Sequence, residues 1–83
     1  MTDSDHVTRR RAEAARILTI LESWSRTHLS DVETRGDRTA IAHWTRETNM
    51  YTHALRSLPS ADAERVEELI TTHGPLAQVV ARP

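Results

Sequence analysis

Two strong helix breaks divide the chain, one at Gly36 and one at Pro59. Between them, apolar residues recur every three or four positions, which is the spacing of one face of an α-helix. The stripe consists of Ile41, Trp44, Tyr51, Leu55 and Leu58, with Thr48 in the remaining slot. Apolar and polar residues never alternate strictly for long, so the pattern predicts no strand. Asp37 can cap the start of this helix, and Pro59 prevents it from continuing. We predict a helix over about 38–58.

A longer apolar stripe precedes this helix in the sequence and stops at Gly36. Its members are Val7, Ala14, Ile17, Leu18, Leu21, Trp24, His28 and Val32. Ser4 or Asp5 can cap the start, and glycine is the residue best suited to the left-handed position that follows a helix. If the stripe is unbroken, it predicts one helix over about 5–35.

A break inside that helix is the alternative. Ser30 and Glu33 form the pattern of a capping box, which typically marks the start of a helix. A kink at Leu29 would then divide the segment into a long helix and a short one. We favour the continuous helix because the apolar stripe runs through this point.

The third segment carries the stripe Ala63, Val66, Leu69, Ile70 and His73. Ser60 is placed to cap its start, and Gly74 followed by Pro75 is a typical helix stop. These signals predict a helix over about 61–73. Residues 75–83 have no full helical period, so we expect either one docked turn or a loose tail.

Short connections make successive helices antiparallel, so we expect an all-α, antiparallel three-helix arrangement: a long helical hairpin plus a shorter third helix. Residues 1–83 would form a single domain. The predicted core residues come from all three stripes: Leu18, Leu21, Trp24, Ile41, Trp44, Tyr51, Leu55, Val66 and Ile70.

Unequal helix lengths leave part of the predicted hairpin without cover. The side chains that lack an obvious partner within the chain are Trp24, Leu29 and Val32, or Val79 and Val80 in the tail. A homodimer with C2 symmetry would let this apolar patch cover itself. The alternative is that the tail folds back and completes a monomeric bundle.

Composition narrows the class of protein. The chain has 83 residues, no cysteine and a net charge of −1, so disulfides, thiolate chemistry and a general attraction to nucleic acid are not expected. All 11 basic side chains other than histidine are arginine, which is typical of coding bias in a GC-rich genome such as those of actinobacteria and their phages. The acidic start is unlike a signal peptide and no apolar run could span a membrane, so we expect a cytoplasmic protein without membrane contact.

The densest positive charge lies on the first predicted helix, at Arg9, Arg10, Arg11 and Arg16. Such a cluster could neutralise phosphates, which makes a DNA-binding regulator the alternative function. Glu13 lies three residues before Arg16, close enough to pair with it on a helix. A solvated, internally paired face is therefore the interpretation we favour.

Five histidines are many for this length, and His43 and Glu47 share one helical face. A metal site needs three or four converging ligands, and the chain has no known metal signature. It also has no nucleophile motif or glycine-rich phosphate loop, so we expect no enzyme activity, no metal and no cofactor. The sequence thus favours a small helical protein–protein interaction or regulatory adaptor module that binds itself or a larger protein.

Overall fold

The computed structural model describes the backbone of residues 2–82 and the side chains of residues 5–82. The described chain forms α1 (Thr2–Arg35), α2 (Arg38–Ser57), a one-turn 3₁₀ helix (Leu58–Ser60) and α3 (Ala63–Val80). No strand occurs within this range. The all-α, three-helix arrangement predicted from the sequence is therefore confirmed.

The first helix is continuous, and the predicted alternative of a kink is not realised. The backbone carbonyl of Ser30 accepts a hydrogen bond of 3.0 Å from the Thr34 hydroxyl inside an unbroken helix. The helix begins at Thr2, so Ser4 and Asp5 lie in its first turn and do not precede it as caps; the side chain of Ser4 lies outside the described residues. Gly36 has a φ of +71°, the left-handed conformation expected after a helix end.

The start of α2 follows the predicted capping chemistry. The Asp37 carboxylate accepts a hydrogen bond of 3.1 Å from the backbone N–H of Ala40. At its other end α2 stops at Ser57, and Pro59 sits in the first positions of the 3₁₀ helix, where a missing N–H costs little.

The cap of α3 is Asp62, so the prediction of Ser60 was wrong. The Asp62 carboxylate accepts a hydrogen bond of 2.8 Å from the backbone N–H of Arg65. Ser60 cannot take this role because it belongs to the 3₁₀ turn that follows Pro59.

The predicted stop at Gly74 and Pro75 was also wrong, because α3 continues through both residues to Val80. A residue before proline normally avoids the helical conformation because its Cβ and N–H clash with the proline ring, and glycine has no Cβ. Beyond the proline, Ala77 is 3 % exposed and Val80 packs against the core. Burial of these side chains holds residues 76–80 in a helix that local signals alone would end.

The first helix is the central element, since α2 and α3 both pack against it. The second helix runs antiparallel to α1, with Thr52 beside Glu22. The third runs parallel to α1: Glu67 pairs with Arg10, and a Cβ at Gly74 would lie 3.7 Å from Cδ1 of Ile17. The molecule is elongated, with extents of 52 × 28 × 14 Å.

The core lies where all three helices run together. Its buried members are Ala14, Ile17, Leu18, Leu21, Tyr51, Ala54, Leu58, Val66, Leu69 and Ala77. Four predicted core residues are buried there: Leu18, Leu21, Tyr51 and Val66. Trp24, Leu55 and Ile70 are half-buried and pack against it.

Two predicted core residues, Ile41 and Trp44, are only half-buried and lie outside this cluster. Their helical stripe was read correctly, since both share the inner side of α2 with Tyr51. The third helix ends before it reaches them, so this part of the stripe packs against α1 but is not covered by α3.

Candidate interaction surface at the open end of the hairpin

The third helix ends beside Trp24. Val80, its last residue, borders a surface depression that Ile20 and Trp24 also line. Beyond this point α1 and α2 run on together to their connection at Gly36. We call residues 24–35 and 38–47 the hairpin end. Eleven residues of α1 beyond Trp24 give it a length of about 16 Å at 1.5 Å per residue.

Four rings form an aromatic cluster at the base of the hairpin end: Trp24, His28, His43 and Trp44. The rings of Trp24 and Trp44 meet edge to face, with centroids 5.0 Å apart. His28 stacks on Trp44 at 4.4 Å with an interplanar angle of 10°, and it meets Trp24 edge-on at 5.2 Å. His43 meets Trp44 edge-on at 5.0 Å. Such arrangements each contribute about 0.5–1.5 kcal/mol beyond area burial, so the cluster holds the two helices together.

The aromatic cluster is only partly covered. Trp24, His28 and Trp44 are half-buried, and His43 is exposed. Trp24 and Trp44 are the two tryptophans of the chain. They lie where α3 would pack if it were longer, so the largest apolar side chains of the protein border solvent.

A buried pair of hydroxyls lies next to the cluster. Thr48 donates a hydrogen bond of 3.0 Å to the Ser25 hydroxyl, which donates one of 2.9 Å to the Glu22 carbonyl. Ser25 is 0 % and Thr48 is 6 % exposed. The polar slot at Thr48 was visible in the sequence, whereas Ser25 was missed because its partner is 23 residues away. The pair fixes which residue of α2 lies beside Ser25.

The residues that the sequence proposed for interaction have different surroundings. Trp24 and Leu29 are half-buried within the hairpin end, and Val79 is 61 % exposed. Val80 is half-buried and packs on the core, so the tail covers part of the α1 surface. Val32 is 8 % exposed, so the expectation that it lacks cover within the chain was wrong. It lies where the chain turns back into α2, and the N–H of Asp37 bonds to its carbonyl at 3.2 Å.

Two exposed apolar side chains outside the hairpin end were not singled out in the sequence. Met50 on α2 is 43 % exposed and Leu76 on α3 is 39 % exposed. Neither belongs to the aromatic cluster.

Arg10 and Arg11 bind other parts of the chain. Arg10 makes two parallel hydrogen bonds, of 2.7 and 2.8 Å, to the Glu67 carboxylate on α3. This pairing raises the pKa of Arg10 and lowers the pKa of Glu67. Arg11 donates to the backbone carbonyls of Leu58 at 2.5 Å and Ala61 at 2.8 Å, at the turn between α2 and α3.

The other two members of the arginine cluster remain at the surface. Arg16 pairs with Glu13 through bonds of 2.6 and 3.1 Å, as the spacing predicted, and the pKa of Glu13 is lowered mainly by that hydrogen bond. Arg9 is exposed. Three of the four arginines thus already contact acidic or carbonyl oxygens of their own chain.

The fold lowers the pKa of His73. It is half-buried, and its ring meets the buried ring of Tyr51 edge-on at 5.6 Å. Burial lowers the pKa of His73, the charge of Arg65 lowers it further, and Glu47 opposes both. Burial likewise raises the pKa of Tyr51, helped by the charge of Glu47 and a hydrogen bond to it. His28 and His73, which both lie on apolar stripes, therefore belong to different clusters.

The chain matches no family model, no curated protein and no solved structure. Within the part of the chain that the structure describes, no helix is both long and apolar enough to cross a bilayer. Across the same residues, no three histidine or carboxylate side chains converge as metal ligands would. His43 and Glu47 thus have no third ligand among them.

Proposed function

We propose that this protein is a non-enzymatic interaction module, acting as a regulatory adaptor, and that its contact surface is the hairpin end with its aromatic cluster. The observation that carries the proposal is the place of the two tryptophans, side by side and half-exposed where the third helix is missing. Tryptophan is enriched among the residues that dominate binding energy at protein interfaces. A partner that covers Trp24 and Trp44 would complete the packing that α3 leaves unfinished.

The nucleic-acid alternative has less support. A protein that binds phosphates needs arginines that are free to neutralise them. Arg10 and Arg11 stabilise the packing of the three helices, and Arg16 is paired with Glu13. The arginine cluster is therefore better explained as part of the internal contacts of the bundle.

Affinity capture with matched variants tests the proposal. The bait is the full chain, and the variants are Trp44→Ala in the aromatic cluster and Met50→Ala, an exposed apolar residue on the same helix outside the hairpin end. We expect Trp44→Ala to lose the protein captured by the wild type and Met50→Ala to retain it. Thermal melts by circular dichroism check that both variants are folded, and His43→Glu replaces Trp44→Ala if that variant is not.

Salt dependence provides a second readout for the same samples. Capture through an apolar surface should change little with ionic strength, whereas phosphate binding weakens steeply as salt rises. Equal capture by wild type and both folded cluster variants would contradict the proposed surface. Steep loss of binding with salt, together with bound nucleic acid, would overturn the proposed function in favour of the alternative.

A further inference from the structure

We infer that the occupant of the hairpin end is a second copy of this chain, packed about a two-fold axis so that the two hairpin ends form a four-helix core. This inference rests on the proposed function and names its partner. Three properties of the described chain support it: its surplus surface, the shape of the hairpin end and the charge balance there.

The chain exposes more surface area than a compact monomer of this mass usually does. The chain exposes 5895 Å². Folded monomers of 9.4 kDa expose about 5,000 Å² by the usual scaling with mass. The surplus of about 900 Å² is close to the roughly 800 Å² that each partner buries in a stable interface. One second copy is therefore enough to bring the exposed area to the ordinary range.

The shape of the hairpin end suits its own copy. Two antiparallel helices with one uncovered side are half of a four-helix bundle, and two such halves complete it. A two-fold axis places the same patch on both sides of the contact, so the half-exposed rings of one copy cover those of the other. The hairpin end is about 16 Å long, so each copy covers the whole of the other's uncovered side before α3 of either chain is reached.

Charge also permits this contact. Together with the connecting residues 36–37, the hairpin end carries four arginines, at positions 26, 35, 38 and 46, and four carboxylates, at positions 31, 33, 37 and 47, so the formal net charge of this region is 4 − 4 = 0. Two copies of a neutral patch do not repel each other, whereas a patch with one dominant sign would. A strongly acidic or basic partner gains no attraction from this surface.

The two tryptophans make the inference directly measurable, because they are the only two in the chain and both lie in the aromatic cluster. Sedimentation and tryptophan emission are followed on the same samples from submicromolar to submillimolar concentration. We expect the mass to rise from 9.4 kDa to twice that value. Over the same concentrations the emission should shift to shorter wavelength and become harder to quench with acrylamide, with the same midpoint.

A matched pair of substitutions locates the interface. His43→Glu adds a like charge to each copy within the aromatic cluster, and His53→Glu makes the same change at an exposed position ten residues further along α2. We expect His43→Glu to raise the dimer dissociation constant at least about tenfold, and His53→Glu to leave it unchanged.

Each remaining outcome overturns the inference in a recognisable way. A constant mass of 9.4 kDa at all concentrations would exclude the second copy. A dimer without any change in tryptophan emission would place the interface elsewhere on the chain. If the chain stays monomeric but a captured protein still depends on Trp44, the inference fails while the proposed function stands.

Discussion

Individual side chains decide how the helices of this protein meet. Arg11 is half-buried and donates to the backbone carbonyls of Leu58 and Ala61 in the turn before α3. The Leu58 carbonyl also accepts the backbone N–H of Ala61, so Arg11 adds a second hydrogen bond to this turn. Thr48 and Ser25 satisfy each other in the interior, so neither hydroxyl pays the cost of burial without a hydrogen bond. In the described residues no buried side-chain polar atom is without a partner.

His73 makes stability depend on pH in a defined window. Its pKa in the folded state is lowered below the ordinary value of 6.5, mainly by burial, so the folded chain binds its proton less readily than the unfolded chain. The free energy of unfolding should therefore fall as pH drops below 6.5 and stop falling below the folded-state pKa. Urea unfolding between neutral and mildly acidic pH measures this loss.

Two variants test whether His73 causes this loss of stability. His73→Gln should remove the loss of stability in this window, whereas His53→Gln, at an exposed position of α2, should keep it. Glu13 and Glu67 have pKa values below the ordinary 4.5, so their contribution disappears only at lower pH. An unchanged pH profile in His73→Gln would show that another group is responsible.

Among the helices, α3 shows most clearly how packing overrides a local signal. Pro75 cannot donate to the Thr71 carbonyl one turn earlier, and its ring crowds that turn. Both residues are exposed, so the unpaired carbonyl has access to water. The helix persists because Ala77 and Val80 gain burial against the core. By contrast, Pro59 sits at the start of a 3₁₀ turn, where no such conflict arises.

The two prolines give opposite expectations on substitution. Pro75→Ala restores a helical hydrogen bond and should raise the free energy of unfolding by about 1–3 kcal/mol, less the entropy that proline removes from the unfolded chain. Pro59→Ala gains no such bond and should be neutral or destabilising by up to about 1 kcal/mol. Chemical unfolding of both variants measures the difference. A destabilised Pro75→Ala would mean that the break at Pro75 has a packing role.

The molecule has two parts that differ in how many helices pack together. Its radius of gyration is 14.5 Å, whereas a compact chain of this length has about 12 Å. Near Leu21 all three helices surround the core, while the hairpin end has contacts across a single pair of helices. The bundle therefore supplies most of the burial, and the hairpin end depends on the aromatic cluster and on Val32.

This asymmetry predicts a gradient in amide hydrogen exchange. At concentrations where the chain is monomeric, amides of residues 38–47 should exchange faster than those of residues 50–57, which belong to the same helix but pack in the bundle. Local opening needs less free energy where fewer apolar side chains are buried. Equal protection along α2 would show that the hairpin end is as stable as the bundle.

Concentration provides the control for this gradient. Dimerisation through the hairpin end should raise the protection of residues 38–47 and leave residues 50–57 almost unchanged. His43→Glu should abolish that rise.

The sequence alone determined the features that depend on near neighbours in the chain. The cap at Asp37, the left-handed Gly36 and the apolar stripes of α1 and α2 follow from interactions over a few residues, and all are present in the structure. The incomplete cover of Trp24 was also predicted from the estimated helix lengths, whereas Trp44 was assigned to the core and lies outside it.

Tertiary structure alone decided what depends on distant residues. The hydrogen-bond partners of Ser25, Arg10 and Arg11 lie between 23 and 57 positions away along the chain. The helix continues beyond Pro75 because its last residues are buried against other helices. The local sequence around Pro75 and Arg10 predicts a helix stop and a solvated charge. Contacts across the bundle change both outcomes: the burial of Ala77 and Val80 outweighs the local cost of a proline inside a helix, and the fold brings the Glu67 carboxylate within hydrogen-bond distance of Arg10.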